Sequence, residues 1–133
     1  MVANLQTAVP SQDMGYRVEQ VMLARINFDS PATINVGGLP ANAAITGITF
    51  HTQTAFNAVT TNNLNVGFTD PTGTSTTAYV SAQAIGPLGV AVPVLPATAI
   101  PLSRATTVTA SYTQTGTAAT AGTGLLTIRF VVP

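Results

Sequence analysis

Residues 45–70 read ITGITFHTQTAFNAVTTNNLNVGFTD, and this stretch predicts the fold class of the whole chain. From residue 48 onward, apolar and polar side chains alternate, and a second alternating run covers residues 64–69. Alternation with a period of two is typical of β-strands that bury one face. The Asn- and Thr-rich residues 57–63 between the two runs have the composition of a loop. We therefore predict two strands joined by a polar connection.

Other parts of the chain repeat this pattern, with β-branched and aromatic residues that favour strands. The further predicted strands are residues 20–28, 33–36, 74–84, 89–92, 106–114 and 124–132. Residues 74–84 are ambiguous: their Thr, Tyr and Val residues favour a strand, and their Ala and Gln residues would tolerate a short helix. We favour a strand or irregular structure there, and we find no convincing amphipathic helix in the chain. Six to eight short strands predict an all-β fold, an antiparallel β-sandwich or a jelly-roll-like barrel. Residues 1–19 are aperiodic, and we interpret them as an extended N-terminal arm before a single domain, residues 20–133, with a frayed terminus as the alternative.

The sequence also predicts how some of the strands are connected. The sequences GGLP at residues 37–40 and DPTG at residues 70–73 are turn signals. Residues 106–114 and 124–132 flank the small, flexible sequence TGTAATAGT, and we predict that they form a hairpin. In strand 20–28, Val21 and Leu23 make the second face partly apolar, so this strand is expected to be covered on both sides.

Residues 85–101 read IGPLGVAVPVLPATAIP and approach the length of a membrane span. Four prolines interrupt this segment, and each one removes a backbone hydrogen-bond donor, so an ordinary transmembrane helix is excluded. We predict an extended segment that either closes the domain's own core or packs on a partner, since an exposed apolar loop is a liability in a monomer.

The charge content sets this chain apart from ordinary domains. Asp, Glu, Lys and Arg together make up 6% of the residues, against roughly a quarter in ordinary domains. The formal net charge is zero, and all four basic residues are arginines. Either the surface is neutral and hydroxyl-rich, or sister subunits and a larger assembly cover much of it. We favour the second interpretation, because interface cores are depleted in Lys, Glu and Asp and retain Arg.

Several functional classes find no support in the sequence. Four scattered arginines cannot neutralise the phosphates that nucleic-acid binding requires. The absence of cysteine excludes disulfides, thiolate metal sites and a Cys nucleophile. The first residues have neither the positive region nor the apolar region of a secretory signal peptide, so we expect none.

We find no constellation of residues with catalytic or metal-binding spacing. The single histidine, His51, falls on the polar face of a predicted strand, where a surface or interface position is expected. The carboxylates are Asp13, Glu19, Asp29 and Asp70, and turn or capping roles account for the last two. We therefore predict no enzyme, no catalytic, cofactor-binding or metal-binding residues, and no cofactor. Arg25 and Arg129 occupy similar places in the first and last strands and could share one sheet face as interface anchors.

Three short motifs give the chain a resemblance to known proteins. They are TAFN at residues 54–57, LNVG at residues 64–67 followed by the Asp-Pro turn, and the Thr-rich ending TVTASYTQTGTAATAGTGLLTIRF. With these motifs the chain resembles small all-β virion proteins of tailed bacteriophages, of the capsid cement or decoration type, over residues 45–130. Residues 85–101 depart from that pattern.

The resemblance implies a structural function. Such proteins bind the outside of an icosahedral head, commonly as homotrimers, and strengthen the shell. The implied partner is the major capsid protein, and the implied location is the capsid exterior after assembly in the host cytoplasm. Two alternatives stay open: another virion component of tail, collar or head fibre, and a carbohydrate-binding β-sandwich for attachment. Few aromatic residues and no Trp weaken the latter.

Overall fold

The computed structural model describes residues 19–93, 95–96 and 103–132. These residues form eight β-strands and no helix, so the predicted all-β fold is confirmed. The strands are β1 (Gln20–Asn27), β2 (Ile34–Leu39), β3 (Ala44–Thr54), β4 (Thr61–Asp70), β5 (Gly73–Ala84), β6 (Gly89–Ala91), β7 (Thr106–Thr115) and β8 (Thr123–Val131). Except for Glu19, the predicted arm lies outside the described residues, so the arm and the boundary at residue 20 stay predictions.

The strands form two antiparallel four-stranded sheets, which confirms the predicted antiparallel sandwich. Sheet I has the order β1-β8-β3-β6, and sheet II has the order β2-β7-β4-β5. Their inner faces meet in one hydrophobic core. The central core residues are Ile26, Ile48, Phe50, Leu126 and Ile128 from sheet I, and Leu64, Val66, Val108 and Ala110 from sheet II. Burying each of the larger side chains stabilises the fold by about 1.5–3 kcal/mol.

The two strands of residues 45–70 lie in different sheets. β3 lies between β8 and β6 in sheet I, whereas β4 lies between β7 and β5 in sheet II. The same is true of β7 and β8, so the predicted C-terminal hairpin is wrong. An apolar strand face is buried equally well when two strands pair side by side and when they face each other across a core about 10 Å thick. Alternation alone therefore does not distinguish a hairpin from a crossover.

The two crossovers lie against each other. The side-chain oxygen of Asn57, in the β3–β4 connection, accepts hydrogen bonds from the backbone N–H groups of Thr120 (2.8 Å) and Ala121 (3.0 Å) in the β7–β8 connection. Its amide nitrogen donates to the Thr120 hydroxyl at 3.0 Å. Beside it, the Phe56 ring fills the space that a side chain on Gly122 would need. Asn57 and Phe56 thus join the two places where the chain changes sheet.

The predicted turn at residues 37–40 is also wrong. β2 continues to Leu39, which is buried and pairs with Thr106 of β7. A register shift between Asn35 and Gly37 accommodates the glycines as a bulge, a common role for glycine in a strand. The chain turns one step later, where Asn42 adopts a positive φ of 66°.

The turn at residues 70–73 is confirmed as the β4–β5 connection. Asp70 pairs with Gly73, and the Asp70 carboxylate accepts a hydrogen bond from the backbone N–H of Thr72 at 2.8 Å. β5 is a strand throughout, with two register shifts against β4. At one of them the β5 backbone lies directly over Gly67, which leaves no room for a side chain there.

The Pro-rich segment contains the strand piece that the sequence predicts at residues 89–92. β6 pairs with β3 at the edge of sheet I. Leu88, Val90 and Val92 are exposed rather than packed into the core, whereas Leu95 packs partly against it. Residue 94 and residues 97–102 lie outside the described part of the chain.

Candidate interaction surface

The titratable side chains of the described residues form no acid–base or metal-binding cluster. His51 is exposed on the outer face of sheet I, Asp29 lies in the turn after β1, and Asp70 lies in the β4–β5 turn. Glu19 contacts Arg129, and Asp13 lies outside the described residues. Within the described ranges, no three His, Cys, Asp or Glu side chains are grouped as a metal site would require. In the same ranges, no helix is long and apolar enough to cross a membrane.

Three of the surface grooves have volumes of about 300, 140 and 380 Å³. The titratable side chains that line them are Tyr79 in the first and Asp70 in the third, so none of the three brings an acid and a base together. The hydrogen bond from the Thr72 hydroxyl lowers the pKa of Asp70. Burial, with a smaller contribution from the Asp70 charge, raises the pKa of Tyr79 to about 12. Both shifts follow from local structure and do not indicate catalysis.

The outer face of sheet I is the most distinctive surface of the described chain. The register sets Arg25, Leu125, His51 and Val90 side by side across all four strands. The next outward rows are Leu23, Thr127 and Thr49, then Val21, Arg129 and Gly47. We call this surface the sheet I face.

Most of the exposed large apolar side chains lie on the edge strands of sheet I or beside them. Six large hydrophobic residues are exposed in the described part of the chain, and five of them belong to the two edge strands of sheet I or flank them. They are Val21, Leu23, Leu88, Val90 and Val92. Leu23 is 58% exposed and Val21 is 52% exposed, so the described residues do not cover the outer face of β1 as the sequence predicts. These five residues form two groups at opposite edges of sheet I, separated by the outward residues of β8 and β3, and exposed apolar groups of this kind indicate interaction sites.

Charged residues border the apolar side chains of β1, Val21 and Leu23. Arg25 and Arg129 project from the same face, which confirms that these two arginines share one sheet surface. Arg129 lies 3.8 Å from the Glu19 carboxylate, which also accepts a hydrogen bond from Thr46. Arg25, toward the other end of β1, donates to the neutral Gln53 side chain at 2.9 Å. Glu19 and Arg25 therefore lie on either side of Val21 and Leu23 along β1.

The outer face of sheet II provides a comparison within the same molecule. Its central strands direct Thr, Asn and Ser side chains outward, with no large apolar residue among them. Of these, Thr69 and Thr113 are exposed, Asn63, Asn65 and Thr107 are half-buried, and Thr109 and Ser111 are buried. The two outer faces of one sandwich thus differ in chemistry: one is neutral and hydroxyl-rich, and the other combines apolar side chains with ions.

Comparison with known structures finds the same fold in phage capsids. A chain of the capsid of Helicobacter pylori bacteriophage KHP30 matches with a TM-score of 0.66 and 16% identity, over 89% of this chain and 90% of that one. A chain of the cyanophage Pam1 capsid matches with a TM-score of 0.66 and 21% identity, over 97% and 94%. A chain of the Ralstonia phage GP4 capsid matches with a TM-score of 0.56 and 19% identity, over 97% and 92%.

The matches cover nearly the full length of both chains in each pair, so the whole sandwich is shared rather than one motif. No protein-family model matches the chain, and comparison with curated protein sequences finds no match. The likeness is therefore one of fold, carried by sequences that are at most 21% identical in these three cases.

Proposed function

We propose that this chain is a structural protein of a phage virion, and specifically a cement or decoration protein that binds the outer surface of an icosahedral head and stabilises the shell. The observation that carries the proposal is the near-full-length likeness to chains in three phage capsid structures. The likeness covers 89–97% of this chain and 90–94% of those chains, so it extends over both sheets.

The chemistry of the surface supports a role in assembly. A chain with zero formal net charge and 6% charged residues is poorly protected against self-association. A sheet surface with five exposed large apolar residues on and beside its edge strands adds to that tendency. Both features suit a protein whose working state is a crowded assembly of ordered contacts. Neither suits a dispersed enzyme, and we propose no catalytic activity.

The proposed partners are the major capsid protein and further copies of this chain. The resemblance in the sequence implies a homotrimer on the capsid exterior. Residues 1–19 form the proposed arm that reaches from the domain, residues 20–133, onto neighbouring shell subunits. The chain would join the head during virion assembly in the host cytoplasm.

The test is quantitative mass spectrometry of particles purified from the source phage, with the major shell protein as the internal reference. We expect a copy number within a few-fold of the shell subunit. A few copies per particle would assign the chain to the tail, collar or head fibre instead. Complete absence from purified particles would contradict both virion roles.

A second experiment addresses the stabilising role. Particles stripped of this chain and particles to which it is added back are heated, and DNA release is followed with a fluorescent dye. We expect release at lower temperature from the stripped particles and recovery on addition of the full chain. A variant lacking residues 1–19 is expected to keep its β-sheet circular dichroism spectrum but to bind the particles less tightly. Equal protection by the truncated variant would contradict the role of the arm.

A further inference from the structure

We propose that the copies of the homotrimer contact one another through the two edges of sheet I. The β1 edge of each copy packs against the β6 edge of the next copy, and the sheet I faces turn toward the three-fold axis. This contact rests on the homotrimer of the proposed function and identifies the surfaces that form it. Each edge supplies one group of exposed apolar side chains: the β1 group, which is Val21 and Leu23, and the β6 group, which is Leu88, Val90 and Val92.

The two groups lie on opposite edges of one sheet, which suits a contact between unlike surfaces. The outward residues of β8 and β3 separate them, so they do not form one patch. In a cyclic trimer, one patch of each copy binds a different patch of the next copy, so each chain needs two patches. When the β1 group of each copy meets the β6 group of its neighbour, both groups are covered in all three copies.

The strand directions agree with an axis that runs parallel to the strands. Rotation about such an axis brings opposite edges of neighbouring sheets together and reverses no strand. β1 and β6 run in opposite directions, because every neighbouring pair in the order β1-β8-β3-β6 is antiparallel. The β1 strand of each copy therefore meets the β6 strand of the next copy in the antiparallel direction, as strands do within the sheet itself.

Rotation about this axis also keeps each residue at its own level along the strands, so the register predicts which side chains meet. Arg25 and Val90 lie in one row across sheet I. Moving two residues along each strand gives Leu23 on β1 and Val92 just beyond β6. We therefore expect Leu23 of each copy to lie against Val92 of the next copy, with the aliphatic stem of Arg25 against Val90.

The side of sheet I on which the two groups lie decides how each copy is turned. Both groups belong to the outer face, away from the core. Neighbouring copies of a trimer differ in orientation by a third of a turn. When the sheet I faces turn toward the axis, the outward side chains of adjacent edges converge in the corner between two copies. When these faces turn away from the axis, both groups stay on the outside of the trimer.

The distribution of charge does not oppose this contact. Residues 71–103, which include the β6 group, contain no charged residue. On β1 the opposite charges of Glu19 and Arg25 lie on either side of the β1 group. Each copy has zero formal net charge, so the copies do not repel one another at a distance. An apolar contact with polar groups at its rim is the usual composition of a protein–protein interface.

Cysteine cross-linking tests the contact, because the chain has no cysteine of its own. The full chain carrying both Leu23→Cys and Val92→Cys is oxidised mildly and run on a non-reducing gel. We expect covalent dimers and trimers, no larger species, and a return to monomers on reduction. Within one copy the two sites are separated by three strand spacings, or about 14 Å, which is too far for a disulfide. The cross-links therefore report contacts between copies.

The single variants are the matched controls for cross-linking. Leu23→Cys alone and Val92→Cys alone should give no covalent dimer, because each residue faces the other one and not its own counterpart. Leu23→Cys combined with Thr113→Cys should give none either, since Thr113 is exposed on the outer face of sheet II. Circular dichroism of each variant shows whether the sandwich is retained.

Sedimentation equilibrium over about 1–200 µM tests the contact without a covalent bond. We expect the unaltered chain to form trimers reversibly. Val90→Asp places a carboxylate in the contact and should raise the concentration at which trimers dissociate about tenfold or more. Thr113→Asp places the same charge on the outer face of sheet II and should leave trimer formation unchanged.

Several results would overturn the inference. They are a monomer at every concentration, covalent dimers in either single cysteine variant, a double cysteine variant that folds but does not cross-link, and cross-linking that stops at dimers or continues beyond trimers. A trimer that Val90→Asp and Thr113→Asp weaken equally would also overturn it. The particle experiment fails separately: a chain that is abundant in particles but does not cross-link would contradict this contact and leave the virion role standing. Cross-linked trimers of a chain that is absent from particles would do the reverse.

Discussion

Replacing Asn57 with alanine should weaken the contact between the β3–β4 and β7–β8 connections, the two segments in which the chain passes from one sheet to the other. The side chain makes three hydrogen bonds to the β7–β8 connection, at 2.8, 3.0 and 3.0 Å. A net contribution of about 1 kcal/mol for each bond gives about 3 kcal/mol. Because Asn57 is exposed, water replaces part of each bond, and we expect Asn57→Ala to lower the free energy of unfolding by about 2 kcal/mol. For a chain of 133 residues, this corresponds to a fall in Tm of about 7 °C.

Urea denaturation followed by circular dichroism measures this change, with the slope of the transition compared between variants. Asn57→Asp keeps the oxygen that accepts from the two backbone N–H groups, so its cost should be about 0.5 kcal/mol or less. Asn35→Ala, at an exposed amide on β2, serves as the control for losing an amide as such. A loss in Asn57→Ala no larger than in Asn35→Ala would refute the reasoning. So would equal losses in Asn57→Ala and Asn57→Asp.

Three further predictions concern the fold. In thermal unfolding, Gly67→Ala should destabilise the protein by about 3 kcal/mol or more, because the β5 backbone occupies the place of the new methyl group. Gly38→Ala is the control and should be close to neutral, because the nearest atom to its new methyl group lies 4.0 Å away. Leu126→Ala should lower the free energy of unfolding in urea by about 2–5 kcal/mol, since this side chain is fully buried. Leu125, on the other face of β8, is half-buried, and an equal loss in Leu125→Ala would contradict the assignment of Leu126 to the inward face. The pKa of Tyr79 is raised from 10.0 to about 12, so the folded state holds the phenol proton more tightly than the unfolded state. Its contribution to stability is present below pH 10 and is lost as the pH rises toward 12, and a Tyr79→Phe variant that loses stability just as steeply over that interval would disprove this assignment.

The sequence by itself determined where the strands are. Alternation of apolar and polar residues located β3, β4, β7 and β8 to within a few residues, because a strand that buries one face must place apolar side chains at every second position. The turn at residues 70–73 was equally readable, since Asp, Pro and Gly each favour one position of a tight turn. Local physics governs both features, and local sequence is sufficient for them.

The sequence also indicated the chemistry of the candidate surface, although not its extent. The apolar character of Val21 and Leu23 and the similar placement of Arg25 and Arg129 were visible from alternation within single strands. That the two arginines share a face with Val90 depends on three separate strand pairings. Each pairing has a register, and a shift of one residue would turn every side chain to the opposite face.

Apart from β4 and β5, which the tight turn at residues 70–73 joins, only the tertiary structure decided which strands are neighbours. The apolar faces of β7 and β8 are satisfied across the core as well as they would be in a hairpin, so burial does not choose between the two arrangements. The choice depends on contacts between residues far apart in the chain, such as those of Asn57 with the loop before β8. Because hydrophobic burial has no direction, the sequence pattern specifies the buried face of each strand, and only the packed sandwich specifies its partners.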